Sequence, residues 1–105
     1  MRSQKVEALE VVEADLRYAR AYYDSWMLGG SEYFQGQFRE TVDWIEWNPD
    51  LFLRVHKSFR RAIIKNTYFG IFYAIEADVT TIVAVFDMRQ RPASIRKIIT
   101  SRKKA

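Results

Sequence analysis

Five arginines gather around the strand-rich half of this 105-residue chain: Arg60 beside Arg61, Arg89 two places before Arg91, and Arg96 a turn further on. A guanidinium presents a planar fork of N–H donors that fits a phosphate or a carboxylate through paired hydrogen bonds. At the rim of a sheet such groups form a phosphate- or acid-binding cluster. The bland alternative is a set of solvated strand ends, some paired with Asp78 or Asp87. His56 is the one histidine. An unperturbed imidazole moves protons at neutral pH, but no Asp, Ser or Cys word surrounds it, and no catalytic residue is assigned. The acids show no paired spacing, there is no His-x-x-x-His, and Gly29-Gly30 lacks the remaining glycines and lysine of a phosphate turn. Neither a metal nor a cofactor is expected. The chain has no cysteine, which excludes disulfides, thiolate catalysis and cysteine-ligated zinc.

The elements that must hold these arginines lie in residues 60–92, RRAIIKNTYFGIFYAIEADVTTIVAVFDMRQRP. Three runs rich in Ile, Val, Phe and Tyr (62–64, 68–75 and 80–88) are separated by Asn66-Thr67 and Ala77-Asp78, which predicts an antiparallel meander. Alternation puts Phe69, Ile71, Tyr73 and Ile75 on one face, with Tyr68, Gly70, Phe72 and Ala74 on the other. In the last run Ile82, Ala84, Phe86 and Met88 oppose Val83, Val85, Asp87 and Arg89. Both faces are largely apolar, whereas a sheet buried on one side should read half polar. The second face is therefore covered by the C-terminal segment, by a partner, or by both. Tyr68, Phe72, Val83 and Val85 are the candidates for an exposed apolar patch that takes a partner.

Upstream, residues 4–10 alternate as a short strand. From Val12 the period lengthens: Val12, Leu16, Ala19, Tyr23 and Trp26 form the stripe of an amphipathic helix that Gly29-Gly30 ends. Ser31 is the candidate N-cap of a second helix, striped by Phe34, Phe38, Val42 and Ile45 and stopped by Asn48-Pro49. The aromatics of this hairpin read as core and not as a base-stacking platform, with Tyr18 and Trp44 left partly exposed. Residues 49–59 read as a loop. The tail, 93–105, carries Ile95, Ile98 and Ile99 at near-helical spacing, which leaves helix and coil both open, and it reads as a positive surface. The whole is one α+β domain over 1–105: a small antiparallel sheet in the order strand, helix, helix, then three strands, with the helical hairpin on one face.

Net charge is +4, but the two halves differ, −5 for residues 1–50 against +9 for 51–105. The C-terminal half is built to meet something acidic. No apolar run approaches the roughly 18 residues of a membrane span, so a soluble, cytoplasmic protein is expected, with no membrane partner.

Certain words, in order, resemble the RelE/ParE toxins of type II toxin–antitoxin pairs, and the ParE branch most. VEADLRYARAYY (12–23) is similar to that branch's A-x-x-D-L opening with a closing tyrosine pair, and WNPDLF (47–52) follows. FRRAIIKNTYFGIFYAIEAD (59–78) resembles R-R-x-[LI]-[LI]-[KR]-x-[FY]-P-[YF]-x-I-[YF]-Y-x-[IV], and AVFDMRQRP (84–92) resembles A-V-x-H-x-x-R-[DR]-P. Tyr68 stands where the family has proline, and Asp87 where it has histidine. The resemblance implies a toxin of the plasmid-stabilisation kind that binds and inhibits a type II topoisomerase such as DNA gyrase. A cognate antitoxin would hold it inactive, in a heterotetramer or beside a toxin homodimer. The implied contact set is a basic rim of Arg60, Arg61, Arg89, Arg91 and Arg96 for target or antitoxin, with Tyr68, Phe72, Val83 and Val85 as the antitoxin's apolar seat. The alternative is a RelE-like endoribonuclease that cuts mRNA on the ribosome, with basic groups around the phosphorus and a Tyr or His near the C-terminus as base. The residues after Met88 include no Tyr, His, Asp or Glu, which favours binding over cleavage. A degenerate member that keeps its antitoxin but has lost toxicity is the third reading, which Asp87 leaves open.

Overall fold

The computed structural model describes residues 3–103. In chain order these form β1 (Lys5–Ala8), α1 (Val12–Asp24), α2 (Gly30–Trp47), a 3-10 turn (Pro49–Leu51), β2 (Arg54–His56), β3 (Phe59–Ile63), β4 (Phe69–Ile75), β5 (Val79–Asp87) and α3 (Pro92–Arg102). The fold is α+β, with the helical hairpin α1–α2 on one face of the sheet. None of the described helices is long and apolar enough to cross a membrane.

The sheet runs β1-β5-β4-β3-β2. Strands β3 to β5 form the expected antiparallel meander and β2 adds antiparallel to its edge, but β1 lies parallel to β5, with Lys5 opposite Val79 and Ala8 opposite Ile82. The sheet is therefore mixed: the hairpin and three strands separate β1 from β5, so no tight turn forces them to run in opposite directions. The expected loop over 49–59 also resolves further, into the 3-10 turn and the short edge strand β2.

The link between the helices differs from the expected capping. Gly29, at φ 71°, supplies the left-handed residue before α2. Gly30 is packed so tightly that a Cβ there would sit 2.1 Å from the Tyr23 carbonyl oxygen. Ser31 is not the cap; its backbone N–H donates to Asp24 Oδ1 at 2.7 Å. Helix α1 stops at Asp24, so Trp26 falls in the turn and is exposed.

Two cores lie back to back. Between hairpin and sheet, Val12, Leu16, Tyr23, Phe34 and Ile45 meet Phe69, Ile71, Tyr73, Ile82 and Val85. Behind the sheet, Ile95 and Ile99 of α3 close over Phe59, Phe72, Ala74, Val83 and Ala84. The partition of β5 follows from a bulge: Phe72 pairs with Ala84 and Tyr73 with Ile82, leaving Val83 as an extra residue. The inserted residue resets the alternation, so Ile82 and Val85 both face the hairpin. This corrects two expectations. Val85 does not share a face with Val83, and Phe72, Val83 and Val85 are buried inside the chain, leaving Tyr68, at 49% exposure, as the exposed residue of that set.

Helix α3 is seated by its last turn. Arg102 donates to both carboxylate oxygens of Asp15 in α1 and to the Val83 carbonyl, and its guanidinium lies 4.9 Å from the Phe86 ring centroid. Lys103 pairs with Glu76 at 2.7 Å. The end of the tail, expected as a free positive surface, is thus partly neutralised within the fold.

Candidate functional site

The five arginines separate into two groups. Arg60, on β3, turns back toward the segment it follows: it donates to the carbonyls of Phe52 at 2.6 Å and Asp50 at 3.3 Å, and to Asp50 Oδ1 at 3.5 Å. It braces the 3-10 turn. Arg89 forms a fork with Asp87, Nε to Oδ1 at 3.0 Å and Nη2 to Oδ2 at 2.7 Å, and Nη2 also donates to the Tyr22 hydroxyl at 3.0 Å. Its guanidinium sits 4.0 Å from the centroid of the Tyr68 ring, close enough for a cation–π contact. The hydrogen bonds from Arg89 hold the Asp87 carboxyl below the usual carboxylate range, and Asp87 in turn raises the guanidinium's pKa. Asp87 is thus the group that holds Arg89 beside Tyr22 and Tyr68.

Arg61 and Arg96 behave differently. Arg61 is opposite Phe72 in the β3–β4 register, on the α3 side of the sheet. There Gly70 makes room for it, because a Cβ at that position would lie 3.2 Å from Arg61 Cγ and 2.9 Å from Met88 Sδ. The Arg61 side chain lines a cavity of about 280 Å³ with Arg96, His56, Gln90, Val55, Phe72, Met88, Pro92, Ile95 and Ile99. The buried Nε of Arg61 has no hydrogen-bond partner among the described residues. Among the described residues no Asp or Glu lines the cavity. Arg91 is exposed at the residue before α3.

His56 was the residue that sequence reasoning left aside, and the structure brings it to the same cavity as Arg61 and Arg96. The signal was weak: Leu53-Arg54-Val55-His56 alternates over four residues only, between Leu51-Phe52 and Lys57-Ser58, so the short strand β2 that carries His56 to the cavity reads as loop. Among the described residues no group of three or more His, Cys, Asp or Glu stands together as metal ligands. On the hairpin side a wider cleft of about 620 Å³ opens between Tyr23, Trp26, Met27, Tyr33 and Tyr68. Its polar groups are largely committed, the Tyr33 hydroxyl donating to the Asn66 carbonyl and the Tyr68 N–H to the Tyr23 hydroxyl.

No family model matches the sequence, and no curated protein matches it. By structure, the chain is similar to a chain of the chromosomal ParDE TA system from P. aeruginosa, with a TM-score of 0.67 over 80% of this chain and 95% of that one, at 12% identity. The two chains share a fold. The ParDE likeness agrees with the order of elements that the sequence words imply. At this identity it carries the backbone arrangement and no side chain, so the chemistry of the ParDE-like scaffold here rests on the arginines and the cavity.

Proposed function

We propose that this chain is the toxin of a type II toxin–antitoxin module, ParE-like, that binds and inhibits a type II topoisomerase such as DNA gyrase and is neutralised by a cognate antitoxin. The observation that carries this reading is the cationic cavity of Arg61 and Arg96, lined by no acid among the described residues, on a scaffold with the fold of a ParDE-system chain. A surface of this kind recognises acidic partners by complementarity of charge and shape. The antitoxin supplies the missing acids, with Arg61, Arg91 and Arg96 as its contacts and Tyr68 as an exposed apolar one. Arg60, Arg89, Phe72, Val83 and Val85 serve the toxin's own fold.

One observation favours a second reading. His56 lines the cavity that holds Arg61 and Arg96, and an imidazole beside guanidinium groups can cleave RNA: the imidazole takes the 2′-hydroxyl proton as the 2′-oxygen bonds to phosphorus, the cations stabilise the phosphorane, and the bond from phosphorus to the 5′-oxygen breaks as that oxygen takes a proton from the imidazolium or from water. Induced expression in cells, with DNA and messages followed in parallel, separates the two. Trapped topoisomerase–DNA breaks with intact mRNA support inhibition by binding. Cleaved mRNA with undamaged DNA, abolished by His56→Ala, supports the nuclease. Neither effect, in the presence of a tight antitoxin, identifies a member that has lost toxicity.

A further inference from the structure

We propose that the cavity beneath α3 is an anchoring pocket for a partner's acidic segment: one apolar side chain fills it, and the carboxylate of the next residue pairs with Arg61. The naming of the partner as an antitoxin rests on the reading above, but the chemistry of the pocket does not. Phe72, Met88, Ile95 and Ile99 make its floor apolar. Bare anion binding would leave that floor wet. At about 280 Å³ the cavity falls just below the range of roughly 300–1,000 Å³ that takes a drug-sized ligand. One apolar side chain fits it.

The charged part of the argument is Arg61. Its Nε is buried without a partner, and its side chain lines the cavity with no carboxylate beside it among the described residues, so a carboxylate entering the cavity meets an uncompensated guanidinium. Arg60 and Arg89 have met theirs within the chain, with Asp50 and Asp87. Arg61 has none to meet, because among the described residues no Asp or Glu lines the cavity. Gly70 adds to the case: the missing Cβ is what lets Arg61 and Met88 lie side by side across β4. The pocket therefore selects a pair of adjacent features, apolar then acidic, and not either alone.

The test uses the full, isotope-labelled chain and follows backbone amide shifts on titration with acetyl-Leu-Glu-amide, acetyl-Leu-Gln-amide, acetyl-Gly-Glu-amide and inorganic phosphate. The first probe is expected to shift Phe72, Met88, Gln90 and Ile95 saturably, with the other three at least tenfold weaker. Arg61→Gln, which keeps much of the stem, is expected to weaken the first probe tenfold or more. Should that variant misfold, Arg96→Gln at an exposed helical position is expected to weaken it about threefold, the size of an exposed charge contact. Equal binding of the Leu-Gln probe would overturn the proposal in favour of a purely apolar cavity. Equal binding of phosphate or the Gly-Glu probe would reduce it to a plain anion site, and no saturable shift with any probe would remove it. An antitoxin that binds wild type and Arg61→Gln equally well removes the pocket and leaves the toxin reading standing. Selective Leu-Glu binding in a chain that no antitoxin recognises does the reverse.

Discussion

Arg102, in the last turn of α3, donates to both carboxylate oxygens of Asp15 in α1, at 2.7 and 3.1 Å. The two side chains are 17% and 9% exposed. The pair also closes a sheet edge. Strand β1 covers β5 only as far as Ile82, whose carbonyl accepts from the Leu9 N–H. Just beyond, at the bulge, the Val83 carbonyl accepts from Arg102 and the Val85 N–H donates to Asp15. One ion pair thus ties together α1, the irregular part of β5 and the helix that roofs the second core.

Removing one partner should therefore be costly. Arg102→Ala strands the Asp15 carboxylate and the Val83 carbonyl, and breaking a buried pair in this way costs about 3–5 kcal/mol. The check is the urea midpoint at neutral pH, with the double variant Asp15→Ala/Arg102→Ala expected to recover part of the loss. A loss of under about 1 kcal/mol in the single variant, the range of an exposed pair, would refute the account. Trimming residues 100–105 removes Arg102 and Lys103 as well, so its effect on function should be accompanied by loss of fold stability.

The Asp87–Arg89 fork makes stability depend on pH. The hydrogen bonds from Arg89 lower the folded pKa of Asp87, and the bonds from Lys103 and Thr81 do the same for Glu76. A carboxylate with a depressed folded pKa contributes stability that is present above its unfolded value near 4 and is lost as pH falls through the folded value. Urea midpoints from about pH 7 to about pH 2.5 should fall at the acid end in wild type and fall less in Asp87→Asn. Parallel curves would show that the fork does not contribute.

At the basic end the group to follow is Tyr73. Its hydroxyl donates to the Pro49 carbonyl at 2.6 Å, and burial pushes the phenol up to about 12. The neutral form is the one the fold favours, so this contribution is intact below about pH 10 and disappears as pH rises through the folded value. Tyr73→Phe leaves the Pro49 carbonyl unpaired and should cost about 1–3 kcal/mol. Ultraviolet titration should show Tyr73 ionising only together with unfolding.

Gly70 offers a way to move Arg61 without changing it. An added methyl meets Met88 Sδ at 2.9 Å and Arg61 Cγ at 3.2 Å, both on flexible side chains that can give way. Loss of glycine entropy in the unfolded chain offsets the crowding by about 0.4–1 kcal/mol. Gly70→Ala should thus keep its melting temperature within a few degrees and lose binding at the cavity. Binding that survives unchanged would mean that Arg61 does not need this passage.

Much of this architecture is legible from apolar spacing alone. The stripe from Val12 to Tyr23 and that from Phe34 to Ile45 are long enough to average out local exceptions, and the meander is marked by Asn66-Thr67 and Ala77-Asp78. The bulge at Val83 leaves no mark, because every residue from Ile82 to Phe86 is apolar and any register buries them equally well. That is why Val85 was placed on the wrong face. The pairing of Arg102 with Asp15 is illegible for another reason: a cation in a basic tail looks solvated until the sheet edge it satisfies is known. Arg89 and Asp87, two apart across the end of β5, could be paired by eye, whereas the tyrosines that receive the guanidinium come from α1 and from the turn before β4.

The division of the arginines leads to the prediction that bears most directly on function. Arg60→Ala takes donors from the Asp50 and Phe52 carbonyls, so it should lower the unfolding midpoint by about 1 kcal/mol. Arg89→Ala releases Asp87 and Tyr22 and should also lower the midpoint. Arg61→Gln, Arg91→Ala and Arg96→Ala break no internal pair. On the proposed toxin reading they should leave the midpoint nearly unchanged while weakening growth inhibition and antitoxin affinity, Arg61→Gln by about 1.5–3 kcal/mol and the exposed Arg91→Ala and Arg96→Ala by about 1 kcal/mol or less. Raising salt should weaken the wild-type complex, and these three variants should show a shallower salt dependence, because each removes a charge from the encounter. Thermal melts beside affinities at two ionic strengths would check both halves of the argument. If Arg60→Ala and Arg61→Gln were equally stable and equally impaired, the basic rim would act as one undivided surface, and the distinction between bracing and recognising arginines would fail.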